Sequence, residues 1–154
     1  MLLNSDSVEK LIETNGMGKK TQVGYDLTVK TIKKVGASGG IIAKKGTTIS
    51  EYTDVEIKGN GWVLDSGVYS ITFHQGCKKI PNNLTATIWP RSSVLRCGSL
   101  LKSGLYDPGF EVKEMGAMLF VFNKIYIKKN VRLAQIIFME NEPVRYLYNG
   151  QWKW

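Results

Sequence analysis

The rhythm of apolar and polar positions changes once along this chain, near residue 26. Before that point Val8, Leu11 and Ile12 fall on one helical face. Asp6-Ser7-Val8-Glu9 supplies a start with acids in the first turn, and Asn15-Gly16 supplies a stop. The spacing predicts one short N-terminal helix of about two or three turns. After Asp26 the period drops to two. Leu27, Val29 and Thr31 alternate with polar neighbours, which predicts a strand. Ala37-Ser38-Gly39-Gly40 reads as a turn. Short β-rich pieces follow at Ile41-Ile42, Thr48-Ile49, Val55-Glu56-Ile57, Trp62-Val63-Leu64, Val68–Phe73 and Thr85–Trp89. Gly59-Asn60-Gly61 and Asp65-Ser66-Gly67 punctuate them. Ala117–Phe122 and Gln135–Phe138 are continuously apolar, which predicts strands buried on both faces. Many short strands with regular turn signals predict an all-β sandwich or barrel. No repeat, low-complexity segment or linker interrupts the chain, so a single domain is expected over residues 1–154, with 143–154 as a C-terminal tail.

Composition narrows the class. The 154 residues suffice for one sizeable core, and 43% apolar with 22% charged content fits a soluble globular domain. No apolar run approaches the roughly 18 residues of a membrane span, and the N-terminus has no secretory pattern, so a cytoplasmic setting without membrane contact is expected. The net charge of +8 calls for anionic partners. The lysines are scattered in pairs, as at Lys19-Lys20 and Lys128-Lys129, which suits loops and edge strands. No nucleic-acid motif accompanies them, and no nucleic-acid partner is expected. Cys77, Cys97 and His74 lack metal-ligand spacing, so a zinc site is not expected.

The densest chemistry lies between residues 89 and 110. Trp89-Pro90-Arg91-Ser92-Ser93-Val94-Leu95-Arg96 packs two guanidiniums and two hydroxyls together. Such donors suit an anion with many oxygens. Ser103-Gly104-Leu105-Tyr106-Asp107-Pro108-Gly109-Phe110 then places one carboxylate in a turn, where it can hold a water against a phosphate. The same residues also fit an exposed loop with solvated charges.

Pro90-Arg91-Ser92-Ser93 and Gly104-Leu105-Tyr106-Asp107 resemble the second and third motifs of the dUTPase and dCTP deaminase superfamily. Gly24-Tyr25-Asp26-Leu27 resembles the first motif and Arg132-Leu133-Ala134-Gln135 the fourth. The four occur in order, which makes the match specific. Arg-Ser-Ser-x-x-Arg-x-Gly and Asp-Pro-Gly-Phe lean toward the deaminase-like branch, which also contains dUTPases. The resemblance implies a distorted jelly-roll-like β-barrel, assembled as a homotrimer with active sites at subunit contacts. It implies conversion of dUTP and water to dUMP and pyrophosphate with Mg²⁺. Asp107 matches the acid that activates the attacking water. Arg91, Ser92, Ser93, Arg96 and Gln135 match phosphate contacts, and Gly104 lies in the third motif. Asp26 matches an acid near the magnesium-bound triphosphate, acting through water, or it caps a turn before its strand. Gln135 is otherwise a satisfied strand-end amide. Arg132 is expected in a structural ion pair. Tyr106 and Phe110 either wall the nucleoside pocket or pack the hairpin.

Two departures from the pattern bear on activity. Deaminases of this group need a glutamate on the strand after Asp-Pro-Gly-Phe. The usual spacing points to Ala117, or to Phe120 if the segment is three residues longer, and neither carries a proton. Glu111 and Glu114 are expected in the preceding loop. Deaminase activity, alone or alongside dUTP hydrolysis, is thus the lesser alternative. The tail also lacks the Gly-rich Arg and Phe arm of classical dUTPases. Tyr148-Asn149-Gly150 resembles the start of the deaminase-branch tail, with Tyr148 a ligand contact. Trp152 or Trp154 would stack on a base and Lys153 reach a phosphate, or this end is disordered or only packs in the trimer. A shortened tail keeps open a non-catalytic nucleotide-binding or regulatory role.

Overall fold

The structure is a computed structural model and describes residues 1–150. Its elements, in order, are α1 (Ser5–Lys10), β1 (Ile12–Glu13), β2 (Lys19–Lys20), β3 (Tyr25–Val35), β4 (Tyr52–Asp54), β5 (Gly61–Leu64), β6 (Gly67–Phe73), β7 (Gly76–Cys77), β8 (Leu84–Pro90), α2 (Ser92–Arg96), β9 (Ser99–Lys102), β10 (Gly116–Val121), β11 (Ile125–Lys128) and β12 (Arg132–Glu140). The main sheet runs β8-β12-β3-β6-β10-β9, with β2 and β4 joining β3. The pairings are antiparallel. Just beyond β9 the chain returns to the opposite edge. Tyr106 bridges Ala86, and the Ile88 amide donates to Ser103 Oγ at 3.0 Å. That return nearly closes the sheet into a barrel. Leu27, Ile71, Phe73, Leu119, Ile136 and Phe138 fill the interior and are essentially inaccessible.

Three local expectations are corrected. The N-terminal helix has only six residues. Asn4 caps it by accepting from the Ser7 amide at 3.0 Å, and it ends at Lys10 because Ile12 and Glu13 pair with Cys77 and Gly76. Asn15 and Gly16, with φ of 51° and 72°, form a separate turn. A second short helix, α2, occupies the Arg-Ser-Ser segment. Second, β10 and β12 are not sealed on both faces. Leu119 and Val121, then Ile136 and Phe138, point inward, while Met118, Phe120, Ile137 and Met139 remain half-buried. Third, Ile41 makes only an isolated bridge to Thr48, and Val55–Ile57 lies outside the strands, with Tyr52–Asp54 pairing to β3 instead. Ile41 and Ile42 are exposed. With no partner strand to cover them, their β propensity is not enough to build a ladder.

Candidate active site

The first and fourth motifs meet because β12 lies between β3 and β8. Gln135 stands opposite Asp26 on one side and Trp89 on the other. Asp26 is 4% exposed, and a lone carboxylate at that depth is strongly disfavoured. Two guanidiniums compensate it. Arg132 Nη1 lies 3.0 Å and Arg91 Nε 3.3 Å from Asp26 Oδ2. Arg132 therefore makes an ion pair, and Asp26 sits within β3 instead of capping a turn. The Arg91 amide donates to Leu133 O at 2.9 Å, and its Nη1 to Arg132 O at 3.4 Å. Backbone bonds to β12 thus fix the entry to α2.

Thr21 and Gln75 complete this corner, and no motif announces either. Thr21 Oγ1 accepts from the Gly24 amide at 3.1 Å and from Gln135 Nε2. It ties the Gly24 turn to the fourth motif. A Cβ on Gly24 would lie 2.5 Å from Ile136 O, so only glycine allows this approach. Gln75 is fully buried, and its Oε1 accepts from the Thr28 amide at 2.9 Å, holding β3 two residues past Asp26. Both contacts join residues far apart in sequence, which hides them from any local reading.

Ser92, Ser93 and Arg96 are exposed on α2, whose N-terminus no side chain caps. The first-turn N–H groups of such a helix favour anions. Arg91 precedes them, so two hydroxyls, free amides and two guanidiniums share one short segment.

Asp107-Pro108-Gly109-Phe110 forms a type II turn. Proline sets the second position, Gly109 has a φ of 89°, and the Phe110 amide donates to Asp107 O at 3.0 Å. The Gly109 amide also donates to Ile80 O at 2.8 Å. Asp107 is half-buried. Tyr106 is buried in the core, and its hydroxyl lies 3.4 Å from both the amide and the carbonyl of Gly116. Burial pushes its phenol well above the usual range. Phe110 stacks on Tyr106 with centroids 4.6 Å apart and meets Tyr148 edge-on at 5.4 Å. Gly104 is exposed at the start of this motif.

Within the chain the two halves stay apart. Tyr106 bridges Ala86, while Arg91 follows the far end of β8. Five residues at about 3.3 Å each separate Asp107 from the arginines by roughly 16 Å.

On β10, Ala117 is buried opposite Ile71, and Phe120 faces outward opposite Val68 and Leu100. Glu114 pairs with Lys30, and Glu111 is exposed. Among the described residues, no three His, Cys, Asp or Glu side chains gather into a metal cage. Trp152, Lys153 and Trp154 lie outside the described residues.

A barrel with these four motifs, in this order and on these strands, defines the dUTPase and dCTP deaminase superfamily. Within it, the chain belongs to the dCTP deaminase-like family, whose model matches residues 4–141. It is 33% identical to a deoxyuridine 5'-triphosphate nucleotidohydrolase of Methanocaldococcus jannaschii, covering 99% of each chain. It is 32% identical to a probable deoxyuridine 5'-triphosphate nucleotidohydrolase of Methanosarcina mazei, over 97% of this chain and 94% of that one. Among solved structures, the native EIAV dUTPase aligns with a TM-score of 0.57 over 98% of both chains, at 15% identity. The 2'-deoxycytidine 5'-triphosphate deaminase of Agrobacterium tumefaciens aligns with a TM-score of 0.67 at 15% identity, over 89% of this chain and 46% of its own length. These two likenesses concern the fold.

Proposed function

We propose that the protein is a dUTP diphosphatase, cleaving dUTP to dUMP and pyrophosphate. The near full-length kinship with two archaeal proteins named as dUTP nucleotidohydrolases carries this reading. A water attacks the triphosphate, the anhydride between the α and β phosphates breaks, and pyrophosphate leaves with the electron pair. Asp107 takes the proton from that water as general base. Its turn holds the carboxylate on a closed barrel, so little ordering remains for the moment of reaction. Arg91, Ser92, Ser93 and Arg96 hold the phosphates with charge-assisted bonds. Gln135 stands beside them, its amide nitrogen shared with Thr21.

Mg²⁺ fits an indirect place. Asp26 Oδ2 already serves two guanidiniums, which leaves its other oxygen to reach a water. A hard dication that travels with phosphates and retains its waters needs no more protein than that. When bound, it would neutralise charge on the triphosphate. The chain's own residues orient that triphosphate and activate the water.

The roughly 16 Å between Asp107 and Arg91 supports a homotrimer in which neighbouring protomers complete each site. The outward face of β8 and β12 supports it too. Trp89 there is 60% exposed, beside half-buried Ile137 and Met139. No helix among the described residues is long and apolar enough to cross a membrane. We place the enzyme in the cytoplasm, where nucleoside triphosphates are made and used.

The test is release of pyrophosphate and ammonia from dUTP, dCTP and dTTP supplied separately with Mg²⁺. Pyrophosphate from dUTP, without ammonia from dCTP, is the expected result. Ammonia from dCTP would overturn the reading of Ala117 and Phe120 and make Glu111 or Glu114 the proton carrier. Silence on every substrate would leave a nucleotide-binding protein.

A further inference from the structure

The segment after β12 does not leave the barrel. The Asn141 amide donates to Asn83 O at 3.0 Å, the Val144 amide to Asn82 O at 3.0 Å and the Tyr148 amide to Pro108 O at 2.7 Å. The chain therefore runs along the 82–83 loop and by Tyr148 reaches the turn that carries Asp107. The side chains follow the same course. Tyr148 presents an edge to Phe110, which stacks on Tyr106. The fit is close at the turn's apex. A Cβ placed on Gly109 would lie 2.7 Å from Leu147 Cβ and 3.0 Å from the Tyr148 nitrogen.

We propose that Leu147 and Tyr148 are positioning residues that brace the Asp107 turn against the barrel. This rests on the dUTP diphosphatase reading and assigns Tyr148 a role different from a ligand contact. The turn is held on two sides. Ile80 accepts from Gly109 and donates to Phe110 O at 3.0 Å on one side, and the tail closes the other. Asp107 belongs to neither clamp through its side chain, which stays half-buried and free to face a water. Loss of the tail clamp leaves the turn anchored at Ile80 alone. The carboxylate then wanders by fractions of an ångström, and a general base is sensitive to displacements of that size. Phosphate contacts reside on α2, at the far end of β8, and they stay intact. The signature is therefore a loss in turnover without a loss in substrate affinity.

The experiment compares wild type with Tyr148→Ala, Tyr148→Phe and Gly109→Ala in full-length protein. Steady-state kinetics on dUTP and amide hydrogen exchange at Gly109 and Phe110 are both read. Tyr148→Ala is expected to lower kcat about tenfold with KM changed by less than about twofold. Its Gly109 and Phe110 amides are expected to exchange about tenfold faster, with core amides unchanged. Tyr148→Phe keeps the ring and the backbone bond, and restores both. Gly109→Ala strains the turn itself at a φ of 89° and serves as the positive control for a displaced Asp107, with the same signature expected. A raised KM with unchanged kcat would overturn the proposal in favour of ligand contact. Unchanged exchange in Tyr148→Ala would overturn it whatever the kinetics. A wild type inactive on dUTP would refute the substrate reading, and exchange alone would then decide the bracing.

Discussion

The proposed division of the site between protomers makes a quantitative prediction. Asp107→Asn removes the proposed base, and Arg91→Ala removes a proposed phosphate contact. A lost general base costs about 10²- to 10⁴-fold, so the first parent is nearly silent. Arg91→Ala also strips one of two partners from buried Asp26, but Arg132 stays 3.0 Å away. With both guanidiniums about one third exposed, the stability cost is about 1–3 kcal/mol, within what a domain this size withstands. Co-expressed in equal amounts with different tags, the two chains mix at random. A site draws its intact Asp107 from an Arg91→Ala chain with a chance of about one half. It draws its intact Arg91 from an Asp107→Asn chain with the same chance. About one quarter of all sites are then complete; with both homotrimers removed, about one site in three is, and the mixed trimer regains about a third of wild-type turnover. The assay is pyrophosphate release from doubly purified mixed oligomers, with each parent as background. A mixture no more active than its parents would refute the argument from the β8 separation, because it would mean that one protomer holds both halves.

Other outcomes follow from the same geometry. Asp107→Asn alone should retain its melting temperature and nucleotide affinity while turnover falls by about 10²-fold or more, measured by calorimetry and pyrophosphate release. Unchanged turnover would remove Asp107 from its role. Phe138→Ala empties a fully buried site and should cost about 3–5 kcal/mol by urea denaturation, a value under 1 kcal/mol arguing against the core assignment. Burial, with the Glu111 charge adding to it, pushes the Cys77 thiol up from 9.0 to about 12, whereas Cys97 is exposed. One of the two thiols should therefore react with a thiol reagent near pH 8 in the folded protein and both after denaturation; two native reactions would contradict the burial. Because the folded value is raised, the unfolded chain loses this proton first. Stability is full below pH 9.0 and falls as pH rises toward about 12. Cys77→Ala should shallow that alkaline fall in melting temperature, and an unchanged slope would exclude the thiol as a cause.

The sequence pattern revealed whatever is local. Alternation predicts β3 and the β-rich run Val68–Phe73 predicts β6, and Asp-Pro-Gly-Phe specifies its turn through the fixed φ of proline and the positive φ of Gly109. Burial on both faces was misread for β10 and β12. An apolar run reports hydrophobicity and not facing, and alternate side chains of these two strands stay half-buried on the outer face of the sheet. The helix stop at Asn15-Gly16 was misplaced because pairing of Ile12 with Cys77 outweighs local propensity. The tie from Thr21 to Gln135 spans 114 positions, and Gln75 reaches Thr28 across 47. Neither has a periodic signal. Only the meeting of β3 with β12 and β6 brings them into contact. Arg91 reads from sequence as a ligand residue, yet its side chain also serves Asp26 and the β12 backbone.

The strand-like stretch from Ser103 to Tyr106 both seals the barrel against β8 and leads directly into Asp107. The carboxylate is thus welded to the last seam of the fold. A protein built this way has no separately melting catalytic loop. Heating should abolish activity and tertiary structure along a single sigmoid, and a protease should find no cut that disarms the enzyme while leaving an intact barrel. Any lineage that remodels this chemistry must do so by exchanging side chains on the seam, because insertions there would unzip it.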